Sequence, residues 1–492
     1  MSKVTKVFFT LFWSVLLAGN SFAQNLEATI RINAEAATIR VSGRYLNRSA
    51  EAGQRGRLSF LKSGIGEPDL TRRVSNVVLS NAEGRSIPYK KLNPGEFEAE
   101  ADFVAWSYET NVPVPTNSRA AAHVSWVSDK IGLVMLDDLL PQYPARTGNV
   151  TANVKIELPA GWRIISTERR MGVSAFAVAD IEKAVFQIGS DLREIKVKNT
   201  VLSVGASGQW LFSDAELAAM ADEIYAEYMR IFASHPAESV HLTITPFPQK
   251  NIQKGIWEAE TRGRNVTIVS ADMPFKTQSL QRLHEQLRHE LFHLWLPNGV
   301  SLTGNYDWFY EGFALYQSLK TGVALNQIRF EDFLDTLSRA HNIDSMQTRR
   351  LSLLESSRNR WIGGDTQVYA RGMVAAFLCD LALLQGSKAE VSVAFILRKL
   401  YESHRPPSPE SDANTAILNL MARYPDLGDV TERFVKGPDV IDWQGKLESA
   451  GLENEPGNSR ASLRVKKKLN ARQKAVLDKL GYNSWRKLSR KS

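Results

Sequence analysis

His289 and His293 stand four residues apart with Glu290 between them, in the segment His289-Glu290-Leu291-Phe292-His293. Residues four apart share one helix face, so both imidazoles can turn toward one ion while Glu290 reaches a water in its open position. A tetrahedral zinc ion in a hydrolytic site takes three protein donors and leaves the fourth place to solvent. The third donor is sought downstream, where Glu311 stands 18 positions beyond His293 (311 − 293), inside Asp307-Trp308-Phe309-Tyr310-Glu311-Gly312-Phe313-Ala314-Leu315-Tyr316. These residue types in this order point to hydrolysis assisted by Zn2+, with His289, His293 and Glu311 as ligands and Glu290 as general base.

For those donors to meet, two helices must fold back on one another. The pattern predicts one helix over 278–296, stopped by Pro297, and a second over 307–320, with Asp307 as its N-terminal cap and Gly322 closing its end. Pro297-Asn298-Gly299 and Gly304-Asn305 let the chain reverse between them. More helices are predicted over 329–341, 367–385 and 389–402, and Arg405-Pro406-Pro407-Ser408-Pro409 reads as a loop. Upstream, a helix over 214–232 is followed by strand candidates His241-Leu242-Thr243-Ile244-Thr245 and Asn265-Val266-Thr267-Ile268-Val269. Residues 25–204 alternate with period two, as in Ala28-Thr29-Ile30-Arg31-Ile32 and Val150-Thr151-Ala152-Asn153-Val154-Lys155-Ile156, which predicts half-buried antiparallel strands of a β-sandwich-like domain. No cluster of ligands or nucleophiles occurs in that region.

The segment HELFH followed by WFYEGFALY resembles the gluzincin metallopeptidases, particularly the aminopeptidase N and glycyl aminopeptidase families. Trp308, Glu311, Gly312, Phe313 and Tyr316 match their glutamate-helix motif. A third segment, Val368-Tyr369-Ala370-Arg371-Gly372, is similar to their Y-x-K/R-G motif, and the resemblance implies that Tyr369 stabilises the tetrahedral intermediate; read alone, Tyr369 is a core aromatic. The nearest match to their upstream exopeptidase motif is Gly255-Ile256-Trp257-Glu258-Ala259, which implies that Glu258 binds the free amino terminus of the substrate. Without the resemblance, Glu258 reads equally as an exposed loop residue. The connection to Glu311 is one residue shorter than the aminopeptidase N pattern, and no copy of the C-terminal PDZ domain common in the glycyl group is visible. The implied architecture is α+β and multidomain: an N-terminal β-sandwich-like domain, a thermolysin-like zinc catalytic domain and a C-terminal helical region. The implied activity is that of a zinc metallopeptidase, an aminopeptidase, acting on a peptide or protein substrate.

The rest of the chain bounds that reading. With 43% hydrophobic and 23% charged residues, the 492-residue chain is composed as a folded protein of several domains, which excludes a disordered or membrane-embedded class. Lys3 and Lys6 precede an apolar run over 7–17, and Ser21-Phe22-Ala23 supplies small residues for cleavage, so residues 1–23 read as a signal peptide and the mature chain as periplasmic or secreted. No later segment approaches the roughly 20 apolar residues of a spanning helix, so no transmembrane segment is expected in the mature chain. Cys379 is the single cysteine, which excludes an intramolecular disulfide and a cysteine-rich metal cluster. The net charge of +8 gathers over 460–491, where Asp478 is the only acid among residues such as Lys466, Lys467, Lys468, Arg472, Arg486, Arg490 and Lys491. That stretch is read as a solvated, partly helical tail with no nucleic-acid partner. The expected division is 1–23 leader, 24–205 β-rich domain, 206–325 catalytic domain, 326–440 helical domain completing the site, and 441–492 basic tail. A rival reading is a non-catalytic envelope scaffold or binding protein stabilised by zinc.

Overall fold

The computed structural model describes residues 25–46, 56–142, 149–455 and 460–482; the signal peptide read over 1–23 lies outside them, as do Arg486, Arg490 and Lys491. Alternation builds the first domain. Strand Leu26–Asn33 buries Leu26, Ala28, Ile30 and Ile32 and turns the residues between them outward. It sits inside an eight-stranded sheet, antiparallel to Thr38–Tyr45 and parallel to Ala152–Glu157, so the sheet is mixed rather than wholly antiparallel. A four-stranded sheet containing Ile131–Met135 and Val185–Gly189 shares one apolar core with it, which makes the domain a two-layer sandwich.

The boundary of that domain lies earlier than 205. Strands Arg193–Ile195 and Leu202–Ala206 belong to a separate, five-stranded sheet, continued by Val240–Pro246, Asn265–Ser270 and, at the edge, Trp257–Arg262. Alternation announces a strand but not its partner, and the pairing of these two was invisible to it. Gly263, at φ +54, opens the two-residue turn that returns Trp257–Arg262 onto Asn265–Ser270.

Helix Asp214–Phe232, with a Ser213–Glu216 capping box, and helix Lys276–Glu290 pack with this sheet in a single core. The same core continues through helices Asp307–Ala324, Phe330–Ser345, Asp365–Gly386 and Val393–His404. The regions expected at 206–325 and 326–440 therefore share one interior. The stretch expected as a solvated tail also joins it: helix Gln444–Ser449, a hairpin of Leu452–Asn454 with Leu463–Val465, and helix Ala471–Lys479 bury Leu447, Leu452, Leu463, Val476 and Leu477. Its lysines and arginines hide these few apolar positions in a composition-based reading. Cys379 is buried in the same core.

Helix Asp365–Gly386 is, by length and composition, apolar enough to cross a membrane, contrary to the expectation from sequence, but 94% of its apolar window is buried inside the protein. A helix apolar on every side is what a central core position requires. Two end signals also act differently from expectation. Asp307 is the first helical residue, not the cap, and its carboxylate serves Tyr310 and Arg360. Gly322 lies inside its helix, where an added Cβ would collide with the Arg288 guanidinium.

Helices Asp307–Ala324 and Asp365–Gly386 touch backbone to backbone at Gly312 and Gly372. A Cβ on Gly312 would lie 2.5 Å from the Gly372 carbonyl carbon, and one on Gly372 would lie 2.9 Å from the Trp308 carbonyl oxygen. Both glycines belong to the sequence motifs, one beside Glu311 and the other one turn beyond Tyr369. Helix propensity favours Ala over Gly by about 1 kcal/mol, whereas forcing atoms into a full interior costs about 1–3 kcal/mol or more. Because backbone rather than a flexible side chain stands in the way, Gly312→Ala and Gly372→Ala are expected to lower the thermal unfolding midpoint; a raised midpoint would show that the contact is slack.

Candidate active site

Helix Lys276–Glu290 carries His289 and Glu290 in its last turn and then tightens into a 3-10 turn, Leu291–Leu294, that carries His293. The expected single helix over 278–296 thus changes pitch between its two histidines. Trp295, stacked on Phe232 with ring centroids 5.3 Å apart, anchors the end of the turn in the core. Asn298 ties it to the edge hairpin, donating to the carbonyls of Thr261 at 2.9 Å and His293 at 3.1 Å and accepting from the Gly263 amide at 2.7 Å.

The donors expected from sequence converge. Nε2 of His293 lies 3.2 Å from Nε2 of His289, and Oε2 of Glu311 lies 3.4 Å and 3.5 Å from those two nitrogens. Donors bonded at about 2.0–2.2 Å to a tetrahedral ion stand about 3.3–3.5 Å from one another. Glu311 Oε2 is buried and accepts no hydrogen bond, so its lone pairs are free for a cation. Nδ1 of His293 donates to the Leu296 carbonyl at 3.0 Å, which turns the lone pair of Nε2 into the triangle. The residues present therefore fit a zinc ion.

Glu290 is also near: one donor atom from each of His289, Glu290 and His293 falls within 4.8 Å of the others. Glu311 is the better third ligand by distance, because the nearest Glu290 oxygen is 4.0 Å from His289 and the other accepts from Thr261 at 3.0 Å. Glu290 is left standing beside the triangle, on the lining of the cleft.

Electrostatics inside the triangle are mutual. Burial works against ionisation of Glu311, but the two imidazoles outweigh it and hold its carboxyl well below the usual range. Burial likewise opposes a charge on His293, while Glu311 and Glu290 push its pKa up to about 8.

Tyr369 and Glu311 meet through Arg360, a residue that the sequence reading did not single out. Arg360 Nη2 donates to the Tyr369 hydroxyl at 2.6 Å and to Glu311 Oε1 at 3.1 Å, and Nη1 donates to Asp307 at 2.5 Å. The guanidinium thus holds the Glu311 oxygen that faces away from the histidines and leaves the phenol proton of Tyr369 free. Burial drives the phenol pKa upward, so Tyr369 keeps that proton. Arg360 lies on a short turn, Arg360–Ile362, between helices, with no periodicity or motif to mark it. Arg371, the motif arginine, is fully buried and points elsewhere: it pairs with Asp344 at 3.2 Å and donates to the Asp439 carbonyl at 2.8 Å, anchoring the tyrosine helix.

Glu258 lies on edge strand Trp257–Arg262, not in a loop, and lines the same cleft of about 980 Å³ as Trp257, His289, Glu290 and Tyr369. Along that strand Trp257 approaches His289, with ring centroids 6.3 Å apart, and Thr261 holds Glu290. Burial raises the Glu258 pKa, against the pull of His123 and Arg119 from the sandwich domain.

Neither a protein-family model nor a curated protein sequence matches the chain. Its fold is similar to the crystal structure of an aminopeptidase N family protein from Idiomarina loihiensis, with a TM-score of 0.74 at 15% identity over 91% of this chain and 82% of that one. It is also similar to an M1 zinc metallopeptidase from Deinococcus radiodurans, with a TM-score of 0.53 at 14% identity over 85% of this chain and 95% of that one. A variant of the Deinococcus protein bound to a Tyr-Ser-Ala substrate gives a TM-score of 0.55 at 14% identity over the same shares. The chain has the mixed, multidomain fold of these metallopeptidase structures, the architecture implied by its three motif segments.

Proposed function

We propose that this protein is an exported zinc-dependent peptidase, acting as an aminopeptidase on peptide or protein substrates in the periplasm or outside the cell. The observation that carries the reading is the triangle of His289, His293 and Glu311, with spacings of 3.2, 3.4 and 3.5 Å, whose His289 lines a large cleft together with Glu290 and Tyr369. A structural zinc site closes all four positions with protein, so three donors beside an open cleft favour catalysis over the scaffold reading. The leader read over residues 1–23 supports export.

His289, His293 and Glu311 would hold a zinc ion, which would supply Lewis acidity toward the scissile carbonyl and lower the pKa of a water towards neutrality. Glu290, oriented by Thr261, takes the proton of the attacking water and delivers it to the leaving amine as the carbon–nitrogen bond breaks. Tyr369, its oxygen already accepting from Arg360, directs its own proton to the oxyanion as charge develops there. Arg360 positions both Glu311 and Tyr369. Glu258, at the cleft margin, binds the free amino terminus and so sets the register of the chain.

Glu290→Gln is expected to bind zinc as the parent does and to lose about 10²–10⁴-fold in turnover; full activity in that purified variant would rule the mechanism out. Matched peptides with free and acetylated amino termini test the exopeptidase assignment, since only the free ones should be cut, and Glu258→Gln should erase the distinction. Arg360→Lys keeps the charge but loses the fork that spans two partners, so zinc affinity measured by chelator competition should fall about 10–100-fold. An unchanged affinity and rate would make Arg360 a bystander.

A further inference from the structure

Arg288 precedes His289 and is 4% exposed, yet its Nε has no hydrogen-bond partner and no carboxylate among the described residues lies within ion-pair distance of its guanidinium. One helical turn earlier, His284 is 2% exposed, and neither of its ring nitrogens has a partner. Residues four apart share a helix face, and both side chains line the cleft that holds His289, Glu290 and Tyr369. A buried cation with no carboxylate within ion-pair distance is costly and does not persist unless something else requires it. The fold makes room for it all the same: Gly322 on the facing helix is the notch that admits the guanidinium.

Of the acids lining that cleft, Glu285 acts on the Arg288 charge from beyond ion-pair distance, and three of the four, all but Glu258, are engaged elsewhere. Glu285 pairs with Arg282 at 2.8 Å, Asp332 with Arg329 at 2.8 Å, and Glu290 accepts from Thr261 at 3.0 Å. Burial first, and Arg288 second, push His284 down to about 3, so its imidazole is neutral and offers an N–H donor beside the guanidinium. A planar fork of donors with a second donor alongside matches the geometry of a carboxylate.

We propose that Arg288, with His284 beside it, forms a carboxylate-binding subsite in the catalytic cleft, which takes either an acidic side chain or the C-terminal carboxylate of a bound peptide. The carrier of the carboxylate rests on the peptidase reading; the subsite itself rests on Arg288 and His284. It makes the cleft selective for a charge that the metal centre does not read.

The test uses the zinc-loaded Glu290→Gln chain, with Arg288 intact or changed to Met, titrated with three matched peptides. One bears a glutamate and an amidated C-terminus, one is neutral with a free C-terminus, and one is neutral and amidated. At least one carboxylate-bearing peptide should bind tenfold or more tighter than the neutral amidated one, and Arg288→Met should remove that advantage. Which peptide gains identifies the source. Arg288→Met should also unfold at an equal or higher temperature, because it removes an unpaired buried charge. Equal binding of all three peptides to the Arg288 chain, a preference that survives Arg288→Met, or a variant that fails to fold would overturn the proposal. If no peptide binds at all, the peptidase reading fails, and succinate decides the subsite. Stabilisation of the Arg288 chain by succinate, absent in Arg288→Met, would support it; no difference would overturn it.

Discussion

Two imidazoles and a carboxylate held within 3.5 Å of one another, in an almost fully buried place, are the constraint to which the rest of the structure answers. Desolvation alone would suppress the charges that such a triangle carries. The arrangement persists because two of its donors and the base beside them are fixed from behind, whereas Nδ1 of His289 has no hydrogen-bond partner. The Leu296 carbonyl sets the tautomer of His293, Arg360 occupies the far oxygen of Glu311, and Thr261 occupies the oxygen of Glu290 that points away from the histidines. Three separate segments supply these supports, so the site is a property of the folded whole rather than of one helix.

Two layers of packing set the distances. The glutamate and tyrosine helices approach as closely as backbones allow, at Gly312 and Gly372, and this brings Glu311 and Tyr369 within reach of one guanidinium. The histidine turn is fixed against the edge hairpin by Asn298 and against the core by Trp295. The edge strand then carries Trp257, Glu258 and Thr261 along the cleft. A buried network in which Glu260 meets His123 at 3.0 Å and Arg262 meets Asp137 at 2.5 Å joins that strand to the sandwich domain. The β-rich domain, in which no cluster of candidate ligands was read, thereby helps to place the strand that borders the triangle of His289, His293 and Glu311.

The side chains that converge at the candidate site and most of the helices were legible in the sequence because their signals are local. His289 and His293 are four apart, helix Asp214–Phe232 has the predicted bounds, and the motif around Glu311 falls on the predicted second helix. What escaped is what depends on distant partners. Arg360 sits on a turn without periodicity and matters only because 49 residues separate it in sequence, but not in space, from Glu311. Strands Arg193–Ile195 and Leu202–Ala206 were read as part of the β-rich domain over 24–205, but they pair within the five-stranded sheet, since alternation is blind to pairing. Glu258 could not be told from a loop residue, because its edge strand is half-buried throughout and lacks an apolar stripe. The change from α to 3-10 pitch between the histidines likewise answers tertiary packing rather than propensity.

The most direct measurement is X-ray absorption at the zinc edge, made on the full chain loaded with one equivalent of zinc and on the Glu311→Ala variant. The account predicts a tetrahedral shell of two imidazole nitrogens and two oxygens at about 2.0–2.2 Å, with the Glu311→Ala variant losing the protein oxygen and binding zinc far more weakly. A shell with a single imidazole, or a spectrum and affinity that Glu311→Ala leaves unchanged, would contradict it.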